Sequence, residues 1–321
     1  MADLPLDKIT PGPPFTSVGV DMFGPWNVVT RKTRSSSAES KRWAIMFTCL
    51  TTRAMHIEVV QDMSSSSFIN ALRRFMSIRG PVKLFRSDRG TNFVGAVDDM
   101  KINAVNVEDG QIRKFLHESR IQWLFNEPHS SHMGAVWERM IGIARRIMDG
   151  IIINEKMKSL THETLTTFMT EVCAIMNSRP IAQVSSDPNV PLVLSPSILL
   201  TGKDDILPVI SDSLDIKDMY RAQWKHVQVL ADIFWRHWKV DYLQCLQSRR
   251  KWFSNRPNLK INDVVILKDK NTKRQHWPLG VVVEVFKRDD NLVRKASVRI
   301  YKEGKTATYL RPINEMVLLL E

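Results

Sequence analysis

Three strand-like runs in succession, followed by alternating helix and strand, constrain this chain more than any other feature. Apolar and β-branched residues gather at residues 15–21, 43–49 and 55–60. Residues 65–78 follow, with Phe68, Leu72, Phe75 and Met76 at helical spacing, and read as a helix capped by Ser64 or Ser65. Next come a strand at 82–86, a helix over about 111–119, a strand over 121–125 and an amphipathic helix from near Gly134. In that last helix Val136, Met140, Ile143, Ile147 and Ile151 recur every three or four residues. One stretch, residues 31–42 (RKTRSSSAESKR), lacks any such pattern. Polar, serine-rich and basic, it reads as a disordered or solvated hairpin tip, with phosphate contact as the second reading.

Three acids stand at distinctive places in this order. Asp21 follows the first run and precedes the turn signal Gly24-Pro25, so its carboxylate is expected at a strand end. Asp88 follows the fourth run and opens onto Arg89-Gly90-Thr91-Asn92, where glycine lets the backbone turn sharply. Glu138 belongs to the amphipathic helix. Singly, each acid reads as a solvated charge, a cap or half of a surface ion pair. Strand ends and a helix can nevertheless converge on one point, and the three contexts together read as one divided metal site. An all-carboxylate set suits hard divalent cations such as Mg²⁺ or Mn²⁺, which keep water ligands and bind phosphate oxygens.

The segments around these acids carry a resemblance. Asp21, Ser87-Asp88-Arg89-Gly90-Thr91-Asn92-Phe93 and Pro128-His129-Ser130-Ser131-His132-Met133-Gly134-Ala135-Val136-Trp137-Glu138-Arg139 resemble the core of retroviral and retrotransposon integrases. The Pro-His-x-x-x-x-Gly-x-x-Trp-Glu-Arg form is most similar to the BEL/Pao group of LTR retrotransposons. The resemblance implies an α/β ribonuclease H-like core, a mixed five-stranded sheet with flanking helices, whose D,D,E triad would be Asp21, Asp88 and Glu138. It further implies two Mg²⁺ or Mn²⁺ ions per active site, Asp21 bridging both, Asp88 binding one and Glu138 the other. Two such ions about 3.5 to 4 Å apart activate an attacking oxygen and stabilise a leaving one. The implied reaction is 3′-end processing of element DNA and then strand transfer into target DNA. No nucleotide hydrolysis is called for, in keeping with the lack of a phosphate-binding Gly-x-x-x-x-Gly-Lys-Ser/Thr loop. Between Asp88 and Glu138 lie 49 residues (138 − 88 − 1), more than the usual retroviral gap, so an insertion is expected around residues 94–109.

Charge agrees with a polyanionic partner without specifying one. The chain of 321 residues carries 46 Lys plus Arg against 34 Asp plus Glu, a formal charge of +12. Binding through phosphate contacts would release counterions and weaken steeply with salt. Arg145 and Arg146 share the helix with Glu138, and Arg145 matches in position a lysine that contacts DNA in the retroviral relatives; each also reads as a solvated helix charge. Asn92 is a candidate for phosphate or base contact, or fixes the turn at Gly90. His129 is a substrate candidate in a polar loop. Double-stranded DNA, both element ends and target, and further copies of the chain are the expected partners.

Four regions follow: a tail (1–13), a catalytic core (14–205), a helical linker (206–254) and a small β domain (255–321). In the linker, Trp224, Val227, Leu230, Phe234, Trp238, Tyr242 and Leu246 recur at helical spacing over about 216–252. The last region holds short β-branched runs at 263–267, 280–286, 296–301 and 306–310 separated by turn signals, which reads as a small all-β barrel. It resembles the SH3-like C-terminal domain of retroelement integrases, with Lys268, Lys270 and Arg274 as DNA-backbone candidates.

No apolar run is long enough to cross a bilayer and residues 1–5 lack secretion-signal blocks, so no membrane partner and an intracellular, finally nuclear, location are expected. Cys49, Cys173 and Cys245 are far apart and unpaired with histidines, which gives no zinc site. The upstream His-His-Cys-Cys module of such integrases has no room before Asp21, so a fragment, a processed product, a truncated copy or a domesticated gene is expected. The alternative function is accordingly a DNA-binding protein derived from an integrase and without catalytic activity.

Overall fold

The structure, a computed structural model, describes residues 10–32, 37–87, 107–125, 131–154, 160–183, 193–203, 222–247, 258–269, 272–302 and 305–319. Side chains are described for all of these except 31, 32, 37, 131–139, 153, 154, 183, 302 and 305. The chain forms two compact units, Met1–Met176 with Asp212–Phe234 and Asn177–Ser211 with Trp235–Glu321.

The first unit is built on a mixed sheet. β1 (Ser17–Lys32), β2 (Ser37–Cys49) and β3 (Met55–Val60) are antiparallel neighbours. α1 (Ser65–Arg79) leads to β4 (Leu84–Ser87), parallel to β1, and α2 (Gly110–Glu118) leads to β5 (Gln122–Phe125), parallel to β4. The strand order is β3-β2-β1-β4-β5. α1 begins where Ser64 Oγ accepts the Ser67 N–H and ends at Gly80, whose φ of 93° lets the chain turn away. It packs through Phe68, Ala71, Leu72 and Phe75, the helical stripe read from the sequence. Phe75 stacks on Phe47 with ring centroids 4.1 Å apart, and Phe15 meets it edge-on at 5.3 Å. All three rings are buried, each contributing about 1.5–3 kcal/mol. α3 (Ser131–Asn154) packs against β1, and α4 (His162–Asn177) follows.

Two sequence expectations fail here. Gly24-Pro25 does not end β1. The Gly24 φ of 114° and a register shift between Phe23 and Trp26 absorb it as an irregularity, and pairing resumes at Trp26↔Arg42. The polar stretch 31–42 is also not a loop in its described part, because β1 and β2 pair as far as Lys32↔Ser37. Ladder bonds use backbone groups that every one of these residues supplies, and the Thr30 hydroxyl adds a bond to Ala38 O at 2.9 Å.

In the second unit β6 (Ala182–Gln183) pairs with β7 (Val193–Leu194), followed by α5 (Pro196–Thr201). α6 (Gln223–Leu246) gives its residues from Trp235 onward to this unit. The rest is an all-antiparallel sheet of β8 (Val264–Leu267), β9 (Leu279–Lys287), β10 (Val293–Lys302), β11 (Lys305–Pro312) and β12 (Met316–Leu318), in the order β11-β10-β9-β8-β12. Four of these strands match the β-branched runs; β12 was not anticipated. Val265, Leu267, Val282, Ala296, Val298 and Met316 form its core. Lys239 Nζ donates to Asp269 O at 2.7 Å and Thr272 Oγ1 at 2.6 Å, and Trp235 Nε1 donates to Thr272 O at 3.3 Å, tying α6 to the segment after β8. Tyr242, pushed up to about 12 by burial, donates its hydroxyl to Pro180 O at 2.6 Å.

Candidate active site

Of the three acids, Asp21 has a described side chain. It lies opposite Met46 of β2, half-buried between the buried Val20 and Met22. Its Oδ1 accepts the Met22 N–H at 2.8 Å. Because β1 continues to Lys32, Asp21 is inside the strand and not at its end, a correction to the sequence reading. Relative to β4, however, it sits two positions beyond the last parallel pair, Gly19↔Arg86. Ligands of open α/β sheets gather at that C-terminal side of parallel strands.

Asp88 lies outside the described residues, as do Asn92, His129 and Lys270, and most of the expected insertion at 94–109. Its chain neighbour Ser87 closes β4, is buried, and accepts the Trp123 indole N–H at 3.1 Å. Glu138 is in α3, which is thus helical as expected, and its side chain is outside the description. Among the described residues no group of three or more His, Cys, Asp and Glu is placed to hold a metal ion.

A tie between β1 and α3 was missed in reading the sequence. Trp26 Nε1 donates to Asp149 Oδ1 at 3.0 Å, and just beyond α3 the Val29 N–H donates to Leu160 O at 2.8 Å. The first contact holds α3 to β1, and the second holds the chain beyond α3 to the same strand. The one signal in the sequence is spacing: Asp149 is 11 residues after Glu138 (149 − 138), three helical turns along nearly the same line.

The candidate cations separate on exposure. Arg145 and Arg146 are exposed on α3, and Arg145 Nε lies 3.9 Å from Asp149 Oδ2. Lys268 is exposed after β8. Arg274 is only 5% exposed, which is not where a surface phosphate contact needs its guanidinium.

A second polar cluster joins β3 to α1. Arg79 Nε donates to His56 Nδ1 at 3.3 Å, His56 Nε2 lies 2.8 Å from Glu58 Oε1, and Arg74 Nε donates to Glu58 Oε2 at 2.6 Å. Burial alone would raise Glu58, but the hydrogen bonds from His56 and Arg74, with the Arg74 charge, hold it below the ordinary carboxylate value. Cys49 behaves similarly: burial is outweighed by donors from Thr51, Thr52 and the Phe15 N–H, and its thiol is lowered.

Residues 222–319, from the start of α6 through β12, match a family described as a family of unknown function (DUF5641). No curated protein matches the chain. Among solved structures, a chain of the simian T-cell lymphotropic virus intasome in complex with PP2A regulatory subunit B56 gamma aligns over 99% of this chain and 84% of its own length. The identity is 9% and the TM-score 0.40. No described helix is long and apolar enough to cross a membrane.

Proposed function

We propose that this chain is a metal-dependent DNA integrase of the LTR-retrotransposon type, with Asp21, Asp88 and Glu138 as its catalytic carboxylates on a ribonuclease H-like core. The observation that carries the reading is a coincidence of register. β1 and β4 pair residues 67 positions apart, Ser17 with Leu84 and Gly19 with Arg86 (84 − 17 and 86 − 19). Asp21 and Asp88 have the same separation (88 − 21). β4 closes at Ser87, the residue before Asp88 in the chain.

The third acid is supported by length. From Trp26 back to Asp21 is five residues, which the register shift after Phe23 sets against four residues of β2, Met46 to Arg42, about 13 Å at 3.3 Å per residue. From Asp149 back to Glu138 is 11 helical residues, about 16 Å at 1.5 Å per residue. Because Trp26 and Asp149 touch, these comparable spans support a reading in which Glu138 and Asp21 come together.

The donor set fits the implied cations. Three carboxylates offer only hard oxygen ligands, and the half-buried Asp21 keeps one oxygen oriented by the Met22 N–H. Asp21, Asp88 and Glu138 would hold Mg²⁺ or Mn²⁺, which supplies Lewis-acid stabilisation of a phosphodiester under attack. The protein's own part would be to hold these carboxylates together, and to bring DNA to them through cations such as Arg145, Arg146 and Lys268. Joining two element ends to two target strands further calls for more than one copy of the chain. The SH3-like barrel reading of the second sheet rests on its five short antiparallel strands around one apolar core.

The test is joining of labelled linear and branched DNA bearing a free 3′-hydroxyl, in Mg²⁺ or Mn²⁺, beside Asp88→Asn. Metal-dependent joining, or its reversal, that the substitution abolishes is the expected result. Salt-sensitive DNA binding with no joining, from folded protein given either metal, would replace this reading with a non-catalytic DNA-binding protein.

A further inference from the structure

The outer strand of the second unit's sheet is open in a way the integrase reading does not explain. β11 is last in the strand order, and among the described strands it pairs with β10 alone. One whole edge of its backbone N–H and C=O groups therefore faces away from the sheet. Successive strand residues point to opposite faces, yet every residue from Thr306 to Pro312 is exposed, Tyr309 at 47% and Leu310 at 57%. In β10, by contrast, Ala296 and Val298 are fully buried. Among the described residues β11 is thus unpaired along its outer edge, and the side chains of residues 306–312 are exposed.

Soluble proteins blunt such edges with a mid-strand charge, a proline or a bulge. Residues 306–310, Thr-Ala-Thr-Tyr-Leu, contain none of these, and the β10/β11 register runs unshifted from Lys295↔Pro312 to Lys302↔Lys305. The segment is uncharged, rich in strand formers and free of a register shift.

Charge selects the occupant. Lys305 and Arg311 bracket the uncharged run six positions apart (311 − 305), so they share strand parity. If two copies paired β11 to β11 antiparallel about Thr308, each Lys305 would oppose the other copy's Arg311, and like charges directly opposite destabilise a strand pair. A strand with carboxylates at those two places meets a cation at each end. The Arg311 guanidinium is half-exposed, 5.9 Å from the centre of the Tyr309 ring and 3.3 Å from Glu315 Oε2, already arranged around a carboxylate. We propose that β11 is a docking edge for an extended acidic segment of a partner protein, which adds to the sheet as a strand. Its carboxylates would lie opposite Lys305 and Arg311, with β-branched or small residues between.

The experiment uses the full chain and three fluorescein-labelled probes: the peptide Glu-Val-Thr-Val-Thr-Val-Glu, its counterpart with lysine at both ends, and a short DNA duplex. Binding is read by anisotropy and edge pairing by hydrogen exchange. The acidic peptide is expected to bind about tenfold or more tightly than the basic one, from two attractive ion pairs replaced by two repulsive ones. It should slow exchange at residues 306–311 and leave β8 and β9 unchanged. Arg311→Glu, on an exposed side chain, should erase or invert the peptide preference. The proposal is overturned if the two peptides bind equally or not at all, or if DNA slows exchange at 306–311 as the acidic peptide does. Slowing that appears without peptide as protein concentration rises would instead make the edge a self-pairing site.

Discussion

Gly280→Ala is expected to destabilise the second unit selectively. A Cβ built at Gly280 would lie 2.3 Å from Val298 Cγ1, 3.2 Å from Arg299 O and 3.6 Å from Ile300 Cγ1. Carbon atoms pack at about 3.5–4.0 Å, so Val298 must retreat by more than about 1 Å. It cannot do so freely, because Val298 is fully buried within the core cluster and a β-branched side chain has one stiff torsion. Overpacking of this kind costs about 1–3 kcal/mol. Restricting the unfolded chain returns about 0.4–1 kcal/mol, leaving a net loss of about 1–2 kcal/mol. Hydrogen exchange under mild urea reads each unit separately: opening at β9 and β10 should become about 5- to 30-fold more frequent, with β2 and β3 unchanged. Val298→Ala should relieve the clash, so the double variant should be less unstable than the two single losses added together, by about 1 kcal/mol. A Gly280→Ala protein as stable as wild type, or losses that simply add, would refute the reasoning.

Trp26→Phe removes the indole donor to Asp149 while keeping most of the buried ring, and should cost about 1–2 kcal/mol in urea melts, with the extra exchange confined to α3 and β1; an unchanged melt would mean that this bond does not hold α3 to β1. His226 is 4% exposed, its Nε2 has no hydrogen-bond partner among the described residues, and burial lowers its pKa. Below its ordinary value near 6.5 the unfolded chain therefore takes up the proton first, so stability should fall as pH drops through about 6. His226→Gln should flatten that slope while leaving the further loss below about pH 4.5 that comes from Glu58, whose folded pKa is lowered; an identical slope in the variant would count against it. Lys268→Ala should leave the melt unchanged and reduce the salt dependence of DNA binding by about one counterion, whereas the buried Arg274→Ala should destabilise the protein first; filter binding across a salt series beside thermal melts separates the two.

Much of the fold was legible because local signals and tertiary placement agree. Met55–Val60, α1 with its Ser64 cap and the stripe Phe68, Leu72, Phe75 all fall where periodicity sets them. The run of β1 past Gly24-Pro25 was not legible, since a turn signal describes local backbone preference and cannot register a partner strand that holds the chain extended. The polar half of β2 escaped for the same reason, and β12, three residues long, has no pattern of its own apart from β8 beside it. At the candidate site, the three acids could be picked out from their flanking motifs. Their relation could not, because the offset of 67 gains meaning only once Gly19 is known to pair with Arg86, and the approach of α3 to β1 shows only once Trp26 is known to reach Asp149. Arg274 illustrates the reverse, a cation that composition presents as a surface charge and the packing buries.

The most direct measurement compares DNA joining rates of Asp21→Asn, Asp88→Asn, Glu138→Gln and the double variant Asp88→Asn/Glu138→Gln, with folding checked by circular dichroism and DNA binding by anisotropy. Carboxylates that act as one unit lose their effect together. A single shared site predicts that each single substitution lowers joining by at least about 100-fold, with DNA binding retained, and that the double variant is no slower than the worse single one. A folded single variant that joins DNA at the wild-type rate, or a double variant whose loss is the product of the two single losses, would contradict it.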